Sequence, residues 1–403
     1  MFKYIGYGVA GLAVLAAGGW WAIGPDYRAA LTDIPQGESV FTFTQSQRDT
    51  AFRMMDRAPW IITSRPIEAS GETDLLPDGE PLDLNIDIDA YVEEQRAAAV
   101  VVVHNGKVRL EEYGLGFEAG KRWTSFSVAK SITSTMIGAA IKDGYITSTS
   151  DPVTKYIPDF EGTAYDGVTL EQILKMTSGV EWNEDYDDPT SDVGVYSAHV
   201  PEGDIPAIVS YMRNLDRRYE PGEQFYYNSG ETGLIGIIVT RAVGKPLAEY
   251  VSETLWQPFG MEQKGSWLLG EDGEEISGCC VQATPRDFAR FGLFVLNEIN
   301  GTPSGELPDG WFDTAGAELI EGAGSSGWGY GYQWWILGDG AFMAVGIYGQ
   351  SILIDPKRDL VIASNSSWTS PLGGKDGEFF SRNEFWKTVQ AAIDRENAPG
   401  EQS

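Results

Sequence analysis

Ser127-Val128-Ala129-Lys130 is the only Ser-x-x-Lys in the chain. On a helix that spacing puts both side chains on one face, within hydrogen-bond reach of each other. An amine can take the hydroxyl's proton only if it is itself uncharged, and both burial and the positive end of a helix disfavour an ammonium at Lys130. The pair therefore has the makings of a nucleophile and its base, Ser127 attacking a carbonyl while Lys130 holds the proton. Its residue types are common, so the spacing alone reads as an exposed helix pair. A second candidate is Tyr227, in the turn Pro221-Gly-Glu-Gln-Phe-Tyr-Tyr-Asn-Ser-Gly-Glu231 with Ser229 two residues on. Hydrogen-bonded to an ammonium, its phenol would be stabilised as phenolate and could relay a proton between serine and a leaving group. The third is Ala344-Val-Gly-Ile-Tyr-Gly-Gln-Ser351, a strand-like run broken by Gly346 and Gly349. Glycine in a strand marks close backbone approach. Amides there, joined by that of Ser127, could cradle an oxyanion, where one lost donor costs about 3 kcal/mol of barrier.

These groups need elements to carry them. Ala99 to Val103 and Val108 to Tyr113, separated by Asn105-Gly106, predict a hairpin. The window Ser127 to Lys142 predicts a buried helix with a polar start, stopped at Asp143-Gly144. Asp89 is expected to cap a short helix over 90–98. From 151 to about 278 the apolar periods are helical, at Leu170–Met176, Ile205–Met212 and Leu234–Ala242, which reads as an inserted helical region. Strand patterns return at Tyr330–Ile336, Ala341–Val345, Ser351–Ile354 and Leu360–Ser364, and 378–395 closes as an amphipathic helix. The sheet thus draws on sequence from both sides of the insert, with the cleft between them as the default site. Residues 26–88 read as an irregular wrapping segment with no chemistry of its own. The acid-rich loop from Glu184 to Asp192 reads as solvated surface.

Composition limits the alternatives. The chain has 403 residues, 42 % of them hydrophobic, with 59 acids against 29 bases and a formal charge of -30. That is a folded acidic protein, and its charge opposes phosphate backbones, so no nucleic-acid partner is expected. His104 and His199 are the only histidines, which leaves few places for a Ser-His-Asp triad and none for a histidine-rich zinc site. Cys279 and Cys280 are adjacent and cannot cross-link distant elements or build a thiolate cage. No metal or cofactor is expected. Residues 4–25 carry no charge, with Lys3 before and Asp26 after, enough to span about 30 Å of hydrocarbon. Trp20 and Trp21 favour a retained anchor, and the small residues from Ala16 to Gly19 fit a cleaved signal peptide. Either way the rest of the chain is expected outside the cytoplasm, in the periplasm, tethered to the inner membrane if the segment is kept.

Ser127-x-x-Lys130, a Tyr227 motif roughly a hundred residues on, and the small-residue strand around Gly346 resemble the serine β-lactamase-related hydrolases: class C β-lactamases, D-aminopeptidase-like enzymes, esterases and aminohexanoate-oligomer hydrolases. The stretches Leu170 to Gly179, Ala283 to Gly292, and Gly349-Gln350 running to Asp355-Pro356 fit the same superfamily, and the likeness spans about 89–395. The resemblance implies an α/β sandwich, an antiparallel sheet flanked by helices, with an all-helical domain inserted at about 151–278 of a hydrolase domain over 89–403. It implies Ser127 as the acylated nucleophile, Lys130 and Tyr227 as its acid/base pair, and the amides of Ser127 and Ile347 beside Gly346 as oxyanion donors. Two departures bear on substrate. Tyr227-Asn228-Ser229 stands where class C β-lactamases have Tyr-x-Asn, and Ala344-Val345-Gly346 where they have Lys-Thr-Gly or His-Thr-Gly. The cation that would meet a penicillin carboxylate is missing. An ester or linear amide is the expected small-molecule substrate, with Ser229 and Tyr186 as binding residues. The alternatives are a β-lactamase or D-amino-acid peptidase, or a penicillin-binding-type sensor that acylates without turnover.

Overall fold

The computed structural model describes residues 19–34, 40–57, 63–73, 76–323, 327–374 and 377–398. Its strands are β1 (Ser64–Ile67), β2 (Ala97–His104), β3 (Lys107–Tyr113), β4 (Trp123–Thr124), β5 (Gly265–Leu268), β6 (Val281–Ala283), β7 (Ile320–Ala323), β8 (Trp328–Tyr330), β9 (Trp335–Gly338), β10 (Ala341–Gly346), β11 (Gln350–Asp355) and β12 (Leu360–Ser366). They form an eight-stranded sheet in the order β3-β2-β12-β11-β10-β9-β8-β7 and a four-stranded sheet in the order β1-β5-β6-β4. Each pairing is antiparallel. The eight-stranded sheet brings β2 and β3 from before the insert beside β12 and β11 from after it, as the split pattern predicts.

Every residue of β2 is buried because both faces of the large sheet are covered. Alternation sends Val101 and Val103 to one core with Ile352, Val361 and Phe291, and Val100 and Val102 to another with Phe385, Trp386 and Val389 of the Glu378–Asn397 helix. Asn105 and Gly106 both have positive φ, 52° and 68°, which a two-residue primed turn between β2 and β3 requires.

Several expectations shift. The early helix runs Ile88–Glu94 and its cap is Asp87, accepting from Ala90 N, because β2 already starts at Ala97. The stretch 330–336 is not one strand but the end of β8, a turn and the start of β9. Helices dominate the insert, Ser229–Val243 being the longest, yet its last part supplies β5, the strand that joins β1 to β6. The wrapping segment is more ordered than its Pro and Gly content implies, with helices Gly24–Thr32 and Gln45–Met54 and the strand β1. Thr44 caps the second of these in a reciprocal pair with Gln47. Cys279 and Cys280 are bonded to each other, so the bond joins no two elements. Most of 4–25 lies outside the described residues, and among the described residues no helix is long and apolar enough to cross a membrane. Nor do they contain a cluster of three potential metal-ligating side chains.

Candidate active site

Ser127 stands immediately before the Val128–Lys142 helix, in the cleft between the large sheet and the helical insert. The residue before it, Phe126, has φ 42°, so the chain makes a sharp left-handed step that ends with Ser127 at the cavity wall. Backbone and side chain of Ser125 fasten that step: its N donates to Val281 O at 2.8 Å, and Val281 N donates to its Oγ at 2.9 Å. The four-stranded sheet thereby fixes where the helix begins.

One turn into the helix, Lys130 is buried, and its Nζ donates to the Gly278 carbonyl at 2.9 Å. A Cβ on Gly278 would stand 2.9 Å from that Nζ, so a side chain there would displace the amine. Burial pushes the Lys130 amine down to about 8, with Glu184 opposing. The uncharged base anticipated for this position is therefore within reach at mildly alkaline pH.

Tyr227 reaches the same place from the turn before the Ser229–Val243 helix. Its ring stacks on Trp335 of β9 at 5.7 Å, its hydroxyl lies close enough to the Ser127 side chain for that group to lower its pKa, and the Lys130 Nζ lies 5.6 Å from its ring centroid. Serine, lysine and tyrosine are thus brought together by two separate elements, the Val128–Lys142 helix and the turn before the Ser229–Val243 helix. The phenolate expectation fails, because burial and the Glu184 carboxylate both raise the Tyr227 pKa. The lysine sits over the ring face, so Tyr227 is a neutral phenol that can pass a proton along.

The end of β10 closes the other side. A Cβ on Gly346 would lie 2.6 Å from Ser125 O and 3.0 Å from Ser127 N. Only glycine lets the strand end come this near the Ser127 amide. The following turn, Ile347–Gly349, is pinned by the buried Gln350, whose Nε2 donates to the carbonyls of Ile347, Tyr348 and Ser366. Ile347 lines the cavity with Ser127. Ser229 and Tyr186 line it too, and both bond to a residue that the charge pattern assigned to the surface. Glu184 accepts from Ser229 Oγ at 2.5 Å, Ser229 N at 3.0 Å and Tyr186 OH at 2.8 Å, and also from Trp182 Nε1. Four donors make Glu184 a built part of the wall. The sequence signal was slight: it is the first acid of a run, two residues after a tryptophan that is buried. The histidines stay elsewhere, His104 beside Arg109 and His199 beside Ser210 Oγ.

Comparison with known proteins agrees with this geometry. The beta-lactamase family model matches residues 88–384. The chain is 30 % identical over 367 residues to the 6-aminohexanoate-dimer hydrolase of Paenarthrobacter ureafaciens, covering 87 % of this chain and 88 % of that one. A candidate 6-aminohexanoate-dimer hydrolase from Bacillus anthracis superposes with a TM-score of 0.75 at 25 % identity, covering 91 % of this chain and all (100 %) of that one. EstCE1, a hydrolase with promiscuous acyltransferase activity, shares the fold with a TM-score of 0.59 at 14 % identity, over 76 % and 96 % of the two chains. With the family model covering most of its length, the chain belongs to the beta-lactamase family and is a serine hydrolase.

Proposed function

We propose that this hydrolase cleaves an ester or a linear amide through an acyl-enzyme on Ser127, with Lys130 as base, Tyr227 as proton relay, and the amides of Ser127 and Ile347 as oxyanion donors. The observation that carries the reading is the buried Lys130, one turn from Ser127, donating to the Gly278 carbonyl and lying 5.6 Å from the ring centroid of Tyr227, with burial lowering its pKa. Ser127 Oγ adds to the carbonyl carbon while its proton passes to the neutral Lys130 amine, through the Tyr227 hydroxyl. Negative charge on the carbonyl oxygen falls between the two amides. On collapse the C–O or C–N bond breaks, the leaving group takes a proton from Tyr227, and Lys130 restores it. Water then releases the acid by the same steps in reverse. None of these steps calls on a metal or cofactor. Ala344-Val345 in place of a basic residue supports an ester or linear amide over a penicillin, whose carboxylate would find no cation on β10.

Steady release of p-nitrophenol from p-nitrophenyl acetate, far beyond one equivalent, is expected. A burst of one equivalent with no further release would identify a non-turnover sensor instead. Tyr227→Phe is expected to lose about 100-fold in kcat/KM while still labelling slowly at Ser127. A variant within a few-fold of the parent rate would remove Tyr227 from the relay. We also propose that the uncharged segment 4–25 tethers the enzyme on the periplasmic side of the inner membrane, supported by its length and by exposed Trp20 and Trp21. The full chain is expected in the membrane fraction after carbonate washing and open to protease only when the outer membrane is broken. Recovery in the cytosol would overturn the tether.

A further inference from the structure

The cavity into which Ser127 opens has a volume of about 980 Å³, large for a small-molecule site. Its far wall belongs neither to the sheet nor to the insert but to the wrapping segment, through the Gly24–Thr32 and Gln45–Met54 helices and the flanking residues Ile34, Val40 and Phe41. Leu31 and Ile34 there are 51 % and 55 % exposed, large apolar side chains that meet the cavity instead of protein. Phe41, Met54 and Leu268 continue the same surface. A wall of this kind gains nothing from water and a great deal from hydrocarbon. A second cavity, about 750 Å³, is lined by Tyr227 and by Asp185, Glu223 and Glu321 among others, and shares Glu184 with the first. Ser127 lines the first and not the second; Tyr227 lines the second and not the first. A leaving group protonated by Tyr227 therefore departs toward the acidic side, and the acyl group left on Ser127 occupies the apolar one.

We infer that the apolar cavity is an acyl-chain site, and that the preferred substrates are esters or amides of unbranched medium- to long-chain fatty acids. The wrapping segment is then a specificity device: its helices form the roof over the chain. This rests on the role proposed for Ser127 and Tyr227, and it names the acyl half of the substrate that role leaves open.

The test is a series of p-nitrophenyl esters from acetate through butyrate, hexanoate, octanoate and decanoate to dodecanoate, run with the full chain in detergent below its micellar concentration. A buried methylene contributes about a fourfold gain, so kcat/KM is expected to climb by roughly two- to fourfold per methylene until the cavity is filled. Esters of acetic acid with the matching series of alcohols are expected to show no such climb. Leu31→Glu, which puts a carboxylate on the roof, is expected to lower the decanoate-to-acetate ratio at least tenfold. That ratio is read within one variant, so a folding defect, which lowers both rates, does not imitate it. A profile that is flat or falls from acetate upward overturns the inference, as does a climb seen with the alcohols and not the acids. Neither result touches the nucleophile: acetate turnover lost in Ser127→Ala would still stand for the catalytic reading.

Discussion

Ser127→Ala is expected to lose at least about 10⁴-fold in kcat/KM on p-nitrophenyl acetate and to give no acyl adduct by mass spectrometry of the intact chain. The size follows from the role. Without the hydroxyl there is no covalent intermediate, and whatever rate remains comes from oxyanion donors acting on a water molecule. The fold has little reason to respond. Ser127 is the cap residue of the Val128–Lys142 helix, but its side chain makes no capping hydrogen bond, and its backbone is already in the right-handed helical region that alanine favours. The unusual conformation falls on Phe126, which the substitution leaves alone. An unchanged melting temperature together with an abolished rate is therefore the expected pair of results. A variant that turns over within tenfold of the parent, or that still carries an acyl group, removes Ser127 as nucleophile and takes Lys130 and Tyr227 with it.

What the chain reveals before its structure depends on how local the governing interaction is. Ser127 and Lys130 are legible because three residues of helix fix their relation, whatever the rest of the molecule does. The β2–β3 hairpin is legible because Asn105-Gly106 tolerates positive φ where other residues resist it. Gly346 is half legible: a strand glycine announces close approach, but that the neighbour is the Ser127 amide is a fact of tertiary packing. Glu184 was misplaced for the same reason. Five acids among nine residues look like a solvated face, and only the arrival of Ser229 and Tyr186 turns one of them inward. The roof was missed because the periodicity of 24–54 is weak. None of the residues in the Gly24–Thr32 helix is buried, since its apolar side chains face a cavity and not a core. A sequence reader looks for apolar stripes that pack, and this one lines an open space.

The opposite coupling of rate and stability is expected at Lys130. Lys130→Met should lose about 10³-fold in kcat/KM and yet be more stable than the parent at pH 7 by about 1–2 kcal/mol. In the folded chain the amine titrates near 8, against an ordinary value of 10.5, because burial penalises its charged form. At pH 7 both folded and unfolded chains hold the proton, so the native state carries a buried ammonium at a cost of about 3 kcal/mol. Methionine fills nearly the same volume without charge and removes that cost. It gives back about 1 kcal/mol through the lost hydrogen bond to the Gly278 carbonyl at 2.9 Å, and something more by leaving Glu184 without its nearby cation. The sign of the pH dependence follows from the same shift. Above about pH 8 the folded state releases a proton that the unfolded state keeps up to 10.5, so the parent's stability gains from Lys130 across that window and the variant's does not. Activity moves in step, since the base works only when uncharged: the parent's kcat/KM is expected to rise through pH 8 and level off above it. Chemical denaturation at pH 7 and pH 10, beside a pH–rate profile, reads both halves. A variant that is less stable than the parent at pH 7 shows that Lys130 is held there as a well-compensated cation, and a parent profile flat between pH 6 and pH 9 excludes the neutral amine as the base.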